Sequence, residues 1–393
     1  MAEEEEEEEE DELVIDDDVF VFDDDEDVDP VLAAFYEAIE DGRVDDVARL
    51  LREHEIDIND DQGNDLGHPP LWVACRYGHH DVARLLIEQG ADVGQAHNGR
   101  SPLLIACRQG HLDVARLLIE RGADAGQTTN NGATPLLMAC EFGHVDIARM
   151  LIARDADINK ANNSGYSPLL LACRNGHLEV ARLLIEQGAD VSQTDIDGGY
   201  PLFLACYHGH ADIARLLTEH DVDVGQASNS SSTPLLVACY YGHVDVVRLL
   251  IERNADVSQA ANNGDTPLFV SLSYGHNDDI ARYVDITRLL LRGGADIHRA
   301  TNDGATPLSR ARELSVADCA RERTAHLVLQ AAAPWSPATH AVRSTATRAR
   351  AVELVRVGRL LSTSDTSLTP GIRAWLGSPA GRAFWLRVIA AVI

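Results

Sequence analysis

"SPLLIACRQGH" (101–111), "TPLLMACEFGH" (134–144) and "SPLLLACRNGH" (167–177) are one phrase written three times at 33-residue intervals. Pro70, Pro102, Pro135, Pro168, Pro201, Pro234 and Pro267 carry it at steps of 32 or 33, and Pro307 follows after 40. Each copy reads Ser/Thr-Pro-Leu, Ala-Cys, Gly-His, Ala-Arg-Leu-Leu-Ile, Gly-Ala-Asp, with small changes. A fixed period of this length indicates a stacked array of small units.

Each word has a mechanical job. Ser101, Thr134, Ser167, Thr233, Thr266 and Thr306 stand where a hydroxyl satisfies free N–H groups at a helix start. Proline follows at the first helical position, where its missing N–H costs nothing. The short helix is expected to stop at Gly110, Gly143, Gly176 and their equivalents. A second helix then opens with an acid three residues before an arginine, as in Asp81 and Arg84 or Asp245 and Arg248. Gly90, Gly122, Gly188 and Gly294 supply the left-handed residue that ends it, and Asp155, Asp221 and Asn254 replace glycine in three copies. Polar, turn-rich sequence such as "ADAGQTTNNGA" leads to the next cap.

The phrase resembles the ankyrin repeat, over about residues 31–333. That resemblance implies an all-α solenoid of helix-turn-helix-hairpin units; with no catalytic or metal-binding motif in the sequence, neither catalytic residues nor a cofactor are expected. One departure is consistent: the family's Thr-Pro-Leu-His becomes Pro-Leu followed by Trp72, Leu104, Leu137, Leu170, Phe203, Leu236 or Phe269. This makes the first helix more apolar without removing the fold signals. Five segments follow: an acidic, disordered head (1–30), an N-terminal capping repeat (31–66) with Gly42 at its turn, seven repeats (67–300), a degenerate closing repeat (301–333) and a basic, helical extension (334–393). Seven extra residues around "NDDIARY" interrupt the seventh repeat. They either lengthen its second helix by nearly two turns or form a loop.

Charge divides the chain. The formal net charge is -30, and residues 1–30 hold 19 acids with no Lys or Arg. Such a head cannot bury enough apolar surface to fold alone. Its simplest role is solubility. "LVIDDD" and "VFVFDDDED" also resemble ubiquitin-like-modifier interaction motifs that add a strand to a partner sheet. Phe20 and Phe22 among acids resemble an activation segment, and the head has the charge to cover its own chain's arginines. The extension reverses sign, with 8 Arg against Glu353 and Asp365. It either caps the array or recruits a partner such as a ubiquitin-ligase subunit. The acidic balance disfavours nucleic acid as a direct ligand. No run reaches the ~20 apolar residues of a membrane span, and "FWLRVIAAVI" is about half that length. The N-terminus lacks the pattern of a secretory signal, so a cytoplasmic or nuclear monomer is expected. Lys160 is the single lysine among 33 basic residues. Codon bias explains this more simply than selection against ubiquitin acceptors.

The chemistry-bearing residues recur once per unit. Cys75, Cys107, Cys140, Cys173, Cys206 and Cys239 sit too far apart in adjacent helices, about 8–10 Å, for disulfides. They read as small buried residues, and Leu272 replaces the cysteine in the seventh repeat. His79, His111, His144, His177, His210, His243 and His276 follow the turn glycine and are expected to bond local backbone. "DIDGG" (195–199) lacks a complete calcium loop and reads as a hairpin tip. GxxxxGK[ST], HExxH and GxSxG are absent.

What varies between copies is expected to carry function. The resemblance implies that partners lie against the concave first-helix surface and the hairpin tips. The varying pairs there are Arg76-Tyr77, Arg108-Gln109, Glu141-Phe142, Arg174-Asn175, Tyr207-His208, Tyr240-Tyr241 and Ser273-Tyr274, with Tyr166 at a tip. Five of the nine tyrosines fall in this row. Tyr and Arg are enriched at binding hot spots. The expected function is a protein-interaction scaffold or adaptor. A ubiquitin-ligase substrate receptor is the first alternative, and a transcriptional regulator using the acidic head is the second.

Overall fold

The computed structural model describes residues 29–59, 67–220, 222–273, 280–317 and 322–332. Every regular element among them is a helix; the one β-type pairing is an isolated bridge between His97 and Arg100. The chain divides into two compact units, Met1–Asn130 and Asn131–Ile393.

The first unit holds α1 (Pro30–Glu40), α2 (Val44–Glu53), α3 (Pro70–Tyr77), α4 (His80–Glu88), α5 (Pro102–Gln109) and α6 (Leu112–Glu120). First helices stack as α1, α3, α5, and second helices as α2, α4, α6. The second unit continues with α7 (Pro135–Glu141), α8 (Val145–Ile152), α9 (Pro168–Asn175), α10 (Leu178–Glu186), α11 (Pro201–Tyr207), α12 (Ala211–Thr218), α13 (Pro234–Tyr240) and α14 (Val244–Glu252). It closes with α15 (Pro267–Ser273), α16 (Ile280–Gly293), α17 (Pro307–Ala317) and α18 (Glu322–Ala332). Here too each odd helix packs on the next odd one and each even helix on the next even one; the two helices of each repeat also pack together, α17 and α18 most extensively.

The local signals act as their chemistry requires. Ser101 Oγ accepts from Leu104 N at 3.3 Å, and Thr134 Oγ1 from Leu137 N at 3.1 Å. Ser167, Thr233, Thr266 and Thr306 cap in the same way. Tyr200 stands at this position before α11 and does not cap. It is buried, and its hydroxyl donates to Gln226 O at 2.6 Å. Gly90, Gly122, Gly188 and Gly294 have φ of 102, 92, 87 and 96°, and Asp155 and Asn254 adopt 61 and 64° in their place. Asp221 lies outside the described residues. The acid-arginine pairs on the second helices form at 2.8 Å in Asp81–Arg84 and 3.9 Å in Asp245–Arg248, with about half or more of each side chain exposed. Pairs this open add at most a few tenths of a kcal/mol, roughly.

Burial between helices supplies the main driving force. In α9, Leu169, Leu170, Leu171, Ala172 and Cys173 are all sealed from solvent. Fully burying one leucine contributes about 1.5–3 kcal/mol, so the richly apolar first helices hold each stack together. The six row cysteines are free and buried among them. Burial raises the thiols of Cys75, Cys107, Cys140, Cys173, Cys206 and Cys239 well above their usual range. A thiol held protonated is a poor nucleophile and a poor metal ligand.

The histidines correct one expectation. His79, His111, His177, His210 and His243 bond not to local backbone but to the end of the first helix in the preceding repeat. In the first unit, His79 Nε2 donates to Glu40 O at 2.6 Å and His111 Nε2 to Arg76 O at 3.0 Å. In the second, His177 reaches Glu141 O at 2.8 Å, and His210 and His243 reach Arg174 O and Tyr207 O at 2.9 Å. A carbonyl only accepts, so Nε2 carries the proton. The rings lie over the turn glycines: a Cβ on Gly176 would stand 2.5 Å from the His210 ring. His276 lies outside the described residues. Tyr283 takes the histidine's place, donating its hydroxyl to Tyr240 O at 2.8 Å. The insertion makes this possible. Residues 280–283 are the first turn of α16, which has 14 residues where α14 has 9.

Glycine has two distinct duties here. Gly176 and Gly188 both adopt positive φ, but nothing lies within 4 Å of a Cβ on Gly188. Alanine at Gly188 therefore costs only left-handed strain, about 1–2 kcal/mol. Alanine at Gly176 adds a collision with His210 and is expected to lower the urea midpoint by clearly more. Equal losses for the two variants would contradict the close approach.

Candidate functional site

The varying pairs fall at the C-terminal ends of the first helices. Arg76, Arg108, Glu141, Arg174, Tyr207 and Tyr240, the first members, are half-buried, and the second members Tyr77, Gln109, Phe142 and Asn175 are exposed. His208 and Tyr241 are second members that are half-buried instead. Tyr274 lies outside the described residues.

In the first unit, the Arg76 guanidinium lies 5.7 Å from the centre of the Trp72 ring. Trp72 is buried and stacks on His68 with centroids 4.0 Å apart. Burial, aided by His97, Arg76 and Arg100, lowers the His68 pKa to about 4. Tyr77 is stacked beside His79, with 38% of its surface exposed. Arg108 and Gln109 occupy the corresponding end of α5.

The second unit gathers more. Its Glu141 carbonyl accepts from both His177 Nε2 and Asn175 Nδ2, the latter at 3.1 Å. Asn175 therefore serves the backbone, while Phe142 beside it is 40% exposed. The Arg174 guanidinium stands 5.4 Å from the centre of the Tyr166 ring, joining a helix end to its own hairpin. Further on, Tyr241 donates its hydroxyl to the Tyr207 hydroxyl, with ring centroids 4.4 Å apart. Tyr240 meets Tyr241 edge-on at 4.9 Å, and His208 lies 4.9 Å from Tyr207. Phe203 extends the cluster from beneath, 6.3 Å from Tyr207. Contact with Tyr207 draws Tyr241 inward, which explains its burial. Four of the expected site residues thus form one aromatic surface: Tyr207, His208, Tyr240 and Tyr241.

His208 is electrically quiet. Burial, then the positive charge of Arg174 and the neighbouring His210 and His243, lower its pKa to about 4. It is neutral across the physiological range and offers the cluster a polar but uncharged edge.

Two residues of this region were not singled out by sequence. Ile196, at the tip of the 195–199 hairpin, is 65% exposed, more than any other large apolar side chain described. The tip itself is built by Asp195, whose Oδ1 accepts from Asp197 N at 3.0 Å and Gly199 N at 2.7 Å. The signal for Ile196 was present: Asn130, Asn163, Asn229, Asn262 and Asn302 hold the equivalent place in other repeats. Asn229 Nδ2 reaches back to Ile196 O at 3.4 Å, and Asn302 Nδ2 to Asn262 O at 2.8 Å. Isoleucine gives up such a bond for an exposed apolar tip. Asp265 is the second, a buried acid at a position where other repeats vary freely.

Among the described residues no group of three or more His, Cys, Asp or Glu comes together as a metal site, and no helix is long and apolar enough to cross a membrane.

A family model described as ankyrin repeats (3 copies) matches residues 35–129, 122–195 and 192–261, and one described as ankyrin repeats (many copies) matches 235–291. The chain belongs to the ankyrin repeat family. Its relatives include human protein phosphatase 1 regulatory subunit 27, 43% identical over 61 residues, and the mouse protein of that name with the same figures. That match spans 16% of this chain and only 38% of the relative's length. Among solved structures, the human ASB11 ankyrin repeat domain is similar with a TM-score of 0.52 and 29% identity, covering 60% of this chain and 100% of the other. Ankyrin repeats generally bind other proteins.

The low His208 pKa has a consequence for stability. The folded state disfavours protonation that the unfolded chain accepts from about pH 6.5 downward. Its contribution is therefore complete above that pH and is lost as the pH falls toward about 4. His208→Gln is expected to lose less stability than the wild type between these limits. Parallel thermal midpoints against pH for the two proteins would contradict the assignment.

Proposed function

We propose that this ankyrin repeat protein is a non-catalytic scaffold or adaptor that holds a partner protein against the second unit. An apolar anchor of the partner meets Tyr207, Tyr240 and Tyr241, and an acidic side chain meets Arg174. Arg76, Tyr77, Arg108 and Gln109 of the first unit are proposed as contacts of the same kind.

One observation carries this reading: the Tyr207–Tyr241 hydroxyl bond within the packed aromatic cluster. Aromatic side chains give large contact area with a polar handle. Freezing a mobile side chain on binding costs about 0.5–1.5 kcal/mol. Rings already held by one another have lost that freedom beforehand. A relative named as a regulatory subunit supports the reading, because such a subunit works by binding another protein.

The ligase-receptor and transcriptional readings rest on residues 334–393 and 1–30. Apart from Asp29 and Pro30 these lie outside the described residues, and no described residue favours either. The cytoplasm remains the proposed location.

The test is capture of a partner by the full chain, followed by affinity measurement with that purified partner. Tyr207→Ala and Tyr241→Ala are each expected to weaken binding by tenfold or more, roughly the hot-spot effect of a buried tyrosine. Arg248→Ala, on the opposite helix layer, is expected to leave it unchanged. Unaltered affinity in both tyrosine variants would contradict the proposal.

A further inference from the structure

Beside the aromatic cluster, the repeats that start at Pro234 and Pro267 border an open cleft of about 410 Å³. That lies within the size range of small-ligand pockets, about 300–1,000 Å³. Its walls include Ser230 and Ser232 from one hairpin, Leu236 and Tyr240 from α13, and Asn263 and Asp265 from the next hairpin.

Asp265 is the unusual member. It is 8% exposed and no lysine, arginine or histidine pairs with it among the described residues. Its Oδ2 accepts from Asn263 Nδ2 at 2.9 Å. Burial raises its carboxyl pKa; the hydrogen bond from Asn263 offsets part of this, and the like charge of Asp303 adds to the rise. A buried carboxylate is normally matched by a counter-charge. Tyr240 lines the same cleft, and the face of an aromatic ring attracts cations. The chain already uses such a pairing within itself, where Arg174 lies against Tyr166.

We propose that this cleft seats an arginine side chain of the protein partner. The Asp265 carboxylate supplies the counter-charge, Tyr240 a stacking surface for the planar guanidinium, and the serine hydroxyls further acceptors. Arginine fits better than lysine because its head is flat, more weakly hydrated and able to stack. The formal net charge of -30 favours approach of a basic partner. The inference rests on the second unit being a partner-binding face and adds the chemistry that the face selects.

The experiment uses the full chain and a defined probe, N-acetyl-arginine amide, with the uncharged isostere N-acetyl-citrulline amide as control. Amide and methyl NMR signals of Leu236, Tyr240 and Asp265 report binding. Saturable shifts with the arginine probe but not with citrulline are expected. Asp265→Asn, similar in shape, should weaken the arginine probe by about tenfold or more, as loss of a charged hydrogen-bond partner does. Tyr240→Leu leaves the carboxylate in place and should cost more affinity for the arginine probe than for N-acetyl-lysine amide. Equal shifts with citrulline, or binding indifferent to Asp265→Asn, would overturn the assignment. So would binding seen only when the arginines of 334–393 are changed to glutamine, since the chain's own tail would then fill the cleft. A tyrosine-dependent partner captured without any response to the arginine probe removes this inference and leaves the scaffold reading standing. An arginine response without tyrosine-dependent capture removes the scaffold reading instead.

Discussion

The last carbonyls of an α-helix have no partner within the helix. In a stack of short helices that deficit recurs in every repeat, at positions the next repeat covers. The histidine ladder meets it: Nε2 of one repeat donates to a helix-end carbonyl of the repeat before, as in His177 to Glu141 and His210 to Arg174. The bond demands a bare glycine under the ring, as at Gly143 and Gly176. It also fixes the offset between neighbouring repeats, because one specific carbonyl must be reached. Glutamines add a second rung at the other end of the unit, with Gln193 Nε2 on Asn159 O and Gln259 Nε2 on Gly225 O, both at 3.1 Å.

That offset places the variable side chains. The carbonyls that accept from His243 and Tyr283 belong to Tyr207 and Tyr240 themselves. Their backbones are thus held by the following repeat, while their rings pack against Tyr241. A ladder that anchors recurring histidines on main-chain atoms leaves residue identity at those positions open to change. Stability and recognition therefore use different atoms of the same residues, and the tyrosines accumulate where the backbone is already secured. The cleft beside Tyr240 follows from the same spacing, since the gap between two hairpins is set by the repeat offset.

Much of this was legible in the amino-acid order because it is local. Ser101 and Thr134 cap within three residues, and Gly90 and Asn254 act through their own φ. The period made the stack legible, and the periodic cysteines were legible as buried. What escaped depends on contacts some 34–43 residues apart. The histidines' acceptors lie one repeat back, and no local pattern names them. Tyr283 in the histidine role was hidden by the insertion, which shifts the first turn of α16 away from the Gly-His phrase. The pairing of Tyr207 with Tyr241 joins the first member of one pair to the second member of the next. The sequence row showed the tyrosines but not which of them touch. Ile196 was visible only as a break in a column of asparagines, and Asp265 only once two hairpins were set side by side.

The central claim is that one side of the second unit, marked by its joined tyrosines, meets another protein. The most direct measurement is site-specific photocrosslinking in cells, with a benzophenone amino acid placed in the full chain at Tyr241 and, separately, at Arg248. The account predicts a discrete cross-linked partner from position 241 and none from position 248. The same partner trapped from 248 and not from 241 would contradict it.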